Sequence, residues 1–166
     1  ANLHRKEWNF TRWLQYNPSI WKDLVQEARD LELAKPLSPI FARDIDASAI
    51  GYVRANAKAQ ALPTPRTMVS PVLNLDRVTS DTGYIVTNPP YGERIGSHAH
   101  VDAVYSDLGK ALQNYLDWKV FLLCPPNDLY LDTGFGRKEQ RITLHNGPLK
   151  CRFLELDLNP DPEQLD

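Results

Sequence analysis

The sequence predicts an α/β fold with a mostly parallel sheet and a closing antiparallel pair of strands. Three observations predict it. Helix-period segments alternate with short apolar segments along most of the chain. One apolar run, "WKVFLLC" (residues 118–124), is nearly continuous, as in a strand covered on both faces. The last two strand segments flank Asn146–Gly147, a hairpin turn signal.

Residues 1–16 are rich in aromatics, with Trp8, Phe10, Trp13 and Tyr16. Trp8, Trp13 and Trp21 read either as base-stacking groups or as a core or lid cluster. "NPSIWKDLVQEARDLEL" (17–33) predicts a helix, with Asn17 as cap and Pro18 at the first helical position. Its apolar face is Ile20, Trp21, Leu24, Val25, Ala28 and Leu31. "SPIFARDID" (38–46) predicts a short strand ending in acids. "ASAIGYVRANAKAQAL" (47–62) predicts a helix with Ile50, Val53, Ala57 and Ala61 inward, ended by Pro63 and Pro65. "RTMVSPVLNL" (66–75) holds a short strand. "TGYIVT" (82–87) predicts a buried strand in the middle of the sheet. "VDAVYSDLGKALQNYL" (101–116) predicts a helix with Val101, Val104, Tyr105, Leu108, Leu112, Tyr115 and Leu116 on one side. "QRITLH" and "KCRFLELDL" predict the closing pair, and residues 157–166, which end in "NPDPEQLD" (159–166), an acidic frayed tail.

Length and composition bound the function. A chain of 166 residues suits one domain with one sizeable core. With 42% hydrophobic and 24% charged residues, the composition is that of a water-soluble globule. No apolar run approaches a membrane span, and "ANLHRKEWNF" has no apolar signal region. Cys124 and Cys151 sit in apolar surroundings and are expected to be buried, reduced thiols, which points to the cytoplasm. The net charge of −2 is not that of a stand-alone nucleic-acid binder. An RNA partner therefore requires a local basic patch or another domain.

The strand "YIVT" stops at "NPPY". Pro89 and Pro90 lack backbone donors and fix φ, so the loop is stiff. The Asn88 side chain and the carbonyls of Asn88 and Pro89 are then held in place, with the flat ring of Tyr91 beside them. A planar ligand with an exocyclic amino group fits this arrangement: oxygens accept its N–H groups and its ring stacks on Tyr91.

"NPPY" after an apolar strand resembles the catalytic motif of S-adenosylmethionine-dependent methyltransferases acting on amino or amide nitrogens. The longer strings "TNPPYGERIG", "DIDASAIGYVRANAKAQAL" and "HNGPLKC", with "LHRKEWNFTRWLQYNPSIWKDLVQEA" at the start, resemble the bacterial 23S rRNA guanine 2-amino methyltransferases, over most of the chain. The resemblance implies a Rossmann-like class I methyltransferase domain. The chain matches its C-terminal part, because no string of the family's Gly-rich first motif occurs in it. Residues 1–156 are expected to form this partial domain, as a fragment of a longer protein or a degenerate domain. A sheet without its central strand would expose apolar edges, which predicts swapping or oligomerisation.

The resemblance also implies site residues. Asn88, Pro89, Pro90 and Tyr91 would grip a guanine flipped out of its helix. The cofactor is S-adenosyl-L-methionine, and Asp44 is the position that holds its ribose hydroxyls. Asp46 reads as a second cofactor contact or as the cap of the helix after it. Ser70, or a backbone group near it, stands where such enzymes contact the adenine. Gly92 lets the loop turn, and Glu93 and Arg94 either order the loop and touch RNA or form a local ion pair.

Other motifs are weaker. His98 and His100 lack a third ligand nearby, so no metal is expected. "GFGRKEQR" (134–141) reads as a surface turn or a phosphate contact. The expected partners are 23S rRNA and an RNA-binding THUMP domain elsewhere in the full-length protein, with no membrane. Two other functions compete: amino or amide methylation of DNA adenine or protein glutamine, and a non-catalytic RNA-binding module that has lost the cofactor site.

Overall fold

The computed structural model describes residues 7–33, 36–79, 81–91 and 98–159, with only the backbone for 98–100 and 139–141. The chain forms two compact units, residues 1–69 and 70–166.

In the first unit, helix α1 spans Pro18–Asp30, and Asn17 caps it as expected. Its Oδ1 accepts from the backbone N–H groups of Ser19 (2.9 Å) and Ile20 (3.4 Å). The preceding aromatics cluster around Trp21, with the rings of Phe10 and Trp8 edge-on to it at 4.8 and 5.4 Å. The apolar face of α1 is only partly covered: Trp21, Val25 and Ala28 are half-buried, whereas Ile20, Leu24 and Leu31 are exposed.

Strand β1 (Phe41–Asp44) pairs in parallel with β2 (Arg66–Val69), in the register Asp44↔Val69. Helix α2 (Ala47–Ala59) crosses between them and buries Ile50 and Ala57. Ala61, expected inward, is instead exposed just beyond the helix at φ +51°. Here the helix ends in a Schellman turn: Leu62 N–H reaches the Ala57 carbonyl (2.9 Å) and Ala61 N–H that of Lys58 (3.1 Å).

In the second unit, four strands run in the order β3-β4-β6-β5. They are β3 (Tyr84–Thr87), β4 (Lys119–Cys124), β5 (Gly136–Asn146) and β6 (Leu149–Asp157). β3 and β4 are parallel, and β4–β6 and β6–β5 form the antiparallel closure. Helix α3 (His98–Leu112) lies on one face. Its Val101, Tyr105, Leu108 and Leu112 pack with Val120, Leu122, Cys124, Leu154 and Leu156 as the core.

Several expectations about this unit are corrected. β3 is an edge rather than a middle strand among the described residues, and Tyr84 and Val86 are about two-thirds exposed. The physical reason is that no described strand pairs with its second side. β4 is fully buried on one face only; its other face carries a column of stacked rings, Tyr84–Phe121–Phe153. Leu116 is exposed because the 3-10 turn Gln113–Tyr115 breaks the phase of α3 before it. Residues 136–141 are strand rather than turn. The turn lies upstream, at Leu129–Thr133, and closes on Gly134 at φ +75°. Arg137 then donates to the Tyr130 hydroxyl (3.1 Å), and Lys138 pairs with Glu155 (2.7 Å).

The hairpin expected at Asn146–Gly147 is present. Asn146 pairs with Leu149, and Gly147 takes φ +62° at the first central position, as a II′ turn requires. Cys124 and Cys151 are free thiols and fully buried. Among the described residues no helix is long and apolar enough to cross a membrane.

Candidate active site

The ladder of β3 stops at Thr87, after which the two prolines have no N–H to extend it. Pro89 is buried, Pro90 and Tyr91 are half-buried, and Asn88 is exposed. The loop is thus anchored by its prolines and presents Asn88 outward. The Tyr91 hydroxyl donates to the Asn88 side-chain oxygen. These two residues of the predicted motif are therefore in direct contact.

Two groups of the β5–β6 hairpin, the Cys151 thiol and the Asn146 side chain, influence the same phenol electrostatically. Burial, and then the Cys151 thiol, push the Tyr91 phenol up to about 12, with Asn146 pulling the other way. Behind them, burial raises the Cys124 thiol to about 11. Burial also raises Tyr105 on α3, whose hydroxyl finds no hydrogen-bond partner among the described residues. "HNGPLKC" signalled a turn and a core thiol in the sequence. Its proximity to Tyr91 needed the tertiary fold, because the two segments are far apart in the chain.

Asp44 ends β1 with its carboxylate exposed. Its Oδ1 accepts from the backbone N–H of Asp46 (2.9 Å). Asp46 caps α2, accepting from Ser48 N–H (2.7 Å). Ser70 follows β2 directly, and its Oγ is buried without a partner among the described residues. An unpartnered buried hydroxyl is costly and suits a site that a polar ligand completes. Gly92, Glu93 and Arg94 lie outside the described residues, and the side chains of His98 and His100 are likewise not described. Among the described residues no three His, Cys, Asp or Glu side chains group as metal ligands.

The fold has solved relatives. A "possible methylase" from Clostridium difficile 630 superimposes with a TM-score of 0.73 at 27% identity, over 96% of this chain and 42% of that one. TrmN from Thermus thermophilus superimposes with a TM-score of 0.58 at 24% identity, over 79% of this chain and 39% of that one. In sequence, the chain is 31% identical over 157 residues to the ribosomal RNA large subunit methyltransferase K/L of Shewanella sp. (strain W3-18-1), covering 91% of this chain. It spans 22% of that relative's length. The family model for RMKL-like methyltransferase domains matches residues 1–155. The fold is that of class I methyltransferases, and the chain belongs to the RMKL-like methyltransferase-domain family (UPF0020).

Proposed function

We propose that this chain carries the base-gripping loop of an enzyme that methylates the 2-amino group of a guanine in 23S rRNA. The observation that carries the proposal is the contact pair Asn88–Tyr91, set on two prolines at the end of β3. The amino group of guanine is planar because its lone pair is delocalised into the ring. The Asn88 side-chain oxygen and the Pro89 carbonyl accept its two N–H groups. Holding both favours the geometry in which nitrogen attacks. Tyr91 offers its ring face to the base, and stacking of this kind contributes roughly 1–3 kcal/mol. The base is flipped from its helix, since pairing otherwise shields the amino group. No strong base is needed beforehand, because the methylated amine loses its proton readily to solvent.

S-Adenosyl-L-methionine, when bound, supplies an electrophilic methyl group on a sulfonium. Asp44 would hold its ribose hydroxyls, with carboxylate lone pairs beyond the one that meets Asp46. The orphaned Ser70 hydroxyl fits the adenine edge. Asp46 acts on this site through the helix that it caps. Gly92, Glu93 and Arg94 continue the loop toward the RNA. A separate RNA-binding domain acting with this chain would supply the positive charge that the chain, at −2, lacks. A ribosomal substrate and two reduced thiols fit a cytoplasmic setting.

The test is transfer of labelled methyl from S-adenosylmethionine to a panel of 23S rRNA transcript, adenine-containing duplex DNA and a glutamine peptide. Label at guanine N2 in the transcript is expected. Asn88→Ala should lower the rate at least about 100-fold, as for other lost transition-state acceptors and donors. Label in DNA or peptide instead would overturn the guanine assignment. RNA binding without cofactor binding would favour the non-catalytic module.

A further inference from the structure

At −2 the chain as a whole is short of positive charge, but its charge is unevenly spread. Residues 140–154 hold Arg141, Lys150 and Arg152 and no Asp or Glu. This stretch is the distal half of the β5–β6 hairpin, on both sides of the turn at Gly147. Strand pairing collects its charge. His145 stands opposite Lys150, and Thr143 opposite Arg152. Lys150 and Arg152 are two residues apart, so these four side chains share one face of the hairpin.

The sheet register brings that face to the same end of the sheet as the Asn88 loop. Thr87, the last residue of β3, is opposite Leu122 of β4, and Leu122 is opposite Leu154 of β6. Two residues beyond that level, β3 has passed into the loop at Pro89. At the same height β6 has reached Arg152, opposite Cys124 at the carboxyl end of β4. Lys150 lies further out, where the hairpin projects past β4. Neighbouring strands are about 4.8 Å apart, so β6 runs about 10 Å from β3, with β4 between them. Long Lys and Arg side chains and a nucleotide's own sugar and phosphate can bridge that gap.

The two cations are also uncommitted. Arg77, Lys110 and Lys138 each pair with a carboxylate, whereas Lys150 and Arg152 form no ion pair among the described residues. Lys150 is exposed and Arg152 half-buried. Charge on an outer strand can serve to guard a sheet edge. Arg152, however, is on an interior strand, paired with both β4 and β5, so edge protection does not account for it.

We infer that Lys150 and Arg152, with His145 beside them, form an RNA-backbone contact that holds the phosphates flanking the flipped guanine. A base drawn into the Asn88 loop stays joined to its strand, whose phosphates must pass this end of the sheet. Cations bind phosphates of any sequence, so the contact positions the strand and leaves the choice of base to the loop. The inference rests on the guanine-in-RNA reading proposed above, and the two can fail separately.

The experiment titrates this chain into a fluorescent 23S rRNA transcript over a salt series. Parent, Lys150→Ala, Arg152→Ala, Arg152→Lys and Lys58→Ala are compared, Lys58 being an exposed cation in the last turn of α2. Each lost phosphate contact lowers the slope of log affinity against log salt by about 0.7–1. Lys150→Ala and Arg152→Ala should each lose that much slope and bind roughly three- to tenfold more weakly at low salt. Arg152→Lys keeps the charge and should keep the slope, and Lys58→Ala should match the parent. Parent slopes in both alanine variants overturn the inference, as does a parent that shows no salt-dependent binding. An equal loss in Lys58→Ala also overturns it, since the attraction would then be diffuse. So does a loss in Arg152→Lys as large as in Arg152→Ala, which would make Arg152 a packing residue. The methylated base judges the other reading. Label at guanine N2 with unmoved slopes discards only the hairpin contact. Label on DNA adenine discards the guanine reading, and the slopes on the transcript still decide the hairpin.

Discussion

Arg77 and Asp117 meet as a fork, with Nη1 2.7 Å from Oδ1 and Nη2 2.7 Å from Oδ2. The same guanidinium donates to the carbonyls of Thr79 (2.8 Å) and Asn114 (3.0 Å) and lies over the Tyr115 ring. It thus ties the segment leading into β3, and so toward the Asn88 loop, to the turn that follows α3. The hydrogen bond from Arg77 holds the Asp117 carboxyl below its ordinary value of 3.8. A lowered folded value means that the stabilisation is fully present above 3.8 and is lost as pH falls through the folded value. Asp117→Asn should therefore lower Tm at neutral pH, and the gap to the parent should close as the pH drops below 3.8. Thermal melts across that range check it; a gap that persists in acid would mean the charge is not what stabilises.

Ala61 occupies the left-handed position of the Schellman turn that closes α2, where a side chain is penalised. Left-handed backbone costs an L-residue roughly 1–2 kcal/mol, part of which a glycine gives back through the freer unfolded chain. Ala61→Gly should stabilise the protein by about 0.5–1 kcal/mol in urea denaturation. Destabilisation would show that the Ala61 methyl makes contacts worth more than the strain.

Gly109 in α3 runs against the Leu129–Thr133 turn. A Cβ there would stand 2.6 Å from the Thr133 carbonyl carbon and 2.8 Å from its Cα. These are backbone atoms and cannot swing aside. Gly109→Ala gains about 1 kcal/mol of helix propensity, yet the overlap forces the turn off the helix. A net loss of about 1–3 kcal/mol is expected, in line with other overpacked sites. Equilibrium denaturation measures it, and a more stable variant would disprove the close approach.

The sequence carried the site-bearing local features well and the long-range ones poorly. Asn17 and Asp46 announce their helices because a cap is a local hydrogen bond to the next residues. The NPPY stop is legible because proline acts on its own backbone. Gly147 marks its hairpin for the same reason. By contrast, the edge position of β3 depends on which strands pair with it, and its four residues, Tyr84–Thr87, carry no record of that. The displaced turn at Leu129–Thr133 was hidden because "LYLDT" has no Gly or Pro, whereas the glycines that follow drew the turn too far downstream. The electrostatic influence of Asn146 and Cys151 on Tyr91 arises only in the folded chain, so their sequence neighbours say nothing of it.

Asp44 and Asp46 are two residues apart and both exposed, yet their hydrogen bonds separate their roles. Asp46 spends an oxygen on the Ser48 N–H, a cap whose loss typically costs about 1 kcal/mol. Asp44 spends one on the Asp46 N–H and keeps its other oxygen at the strand end, where α/β sheets bind ligands. Asp46→Ala should therefore lower stability by about 1 kcal/mol and move S-adenosylmethionine affinity less than about threefold. Asp44→Ala should do the reverse, weakening the cofactor about tenfold or more through two lost charge-assisted hydrogen bonds, with a smaller change in Tm. Calorimetric titration beside urea denaturation separates the two effects. If Asp46→Ala abolished binding while leaving the melting curve in place, the ribose contact would belong to Asp46 and Asp44 would be its support.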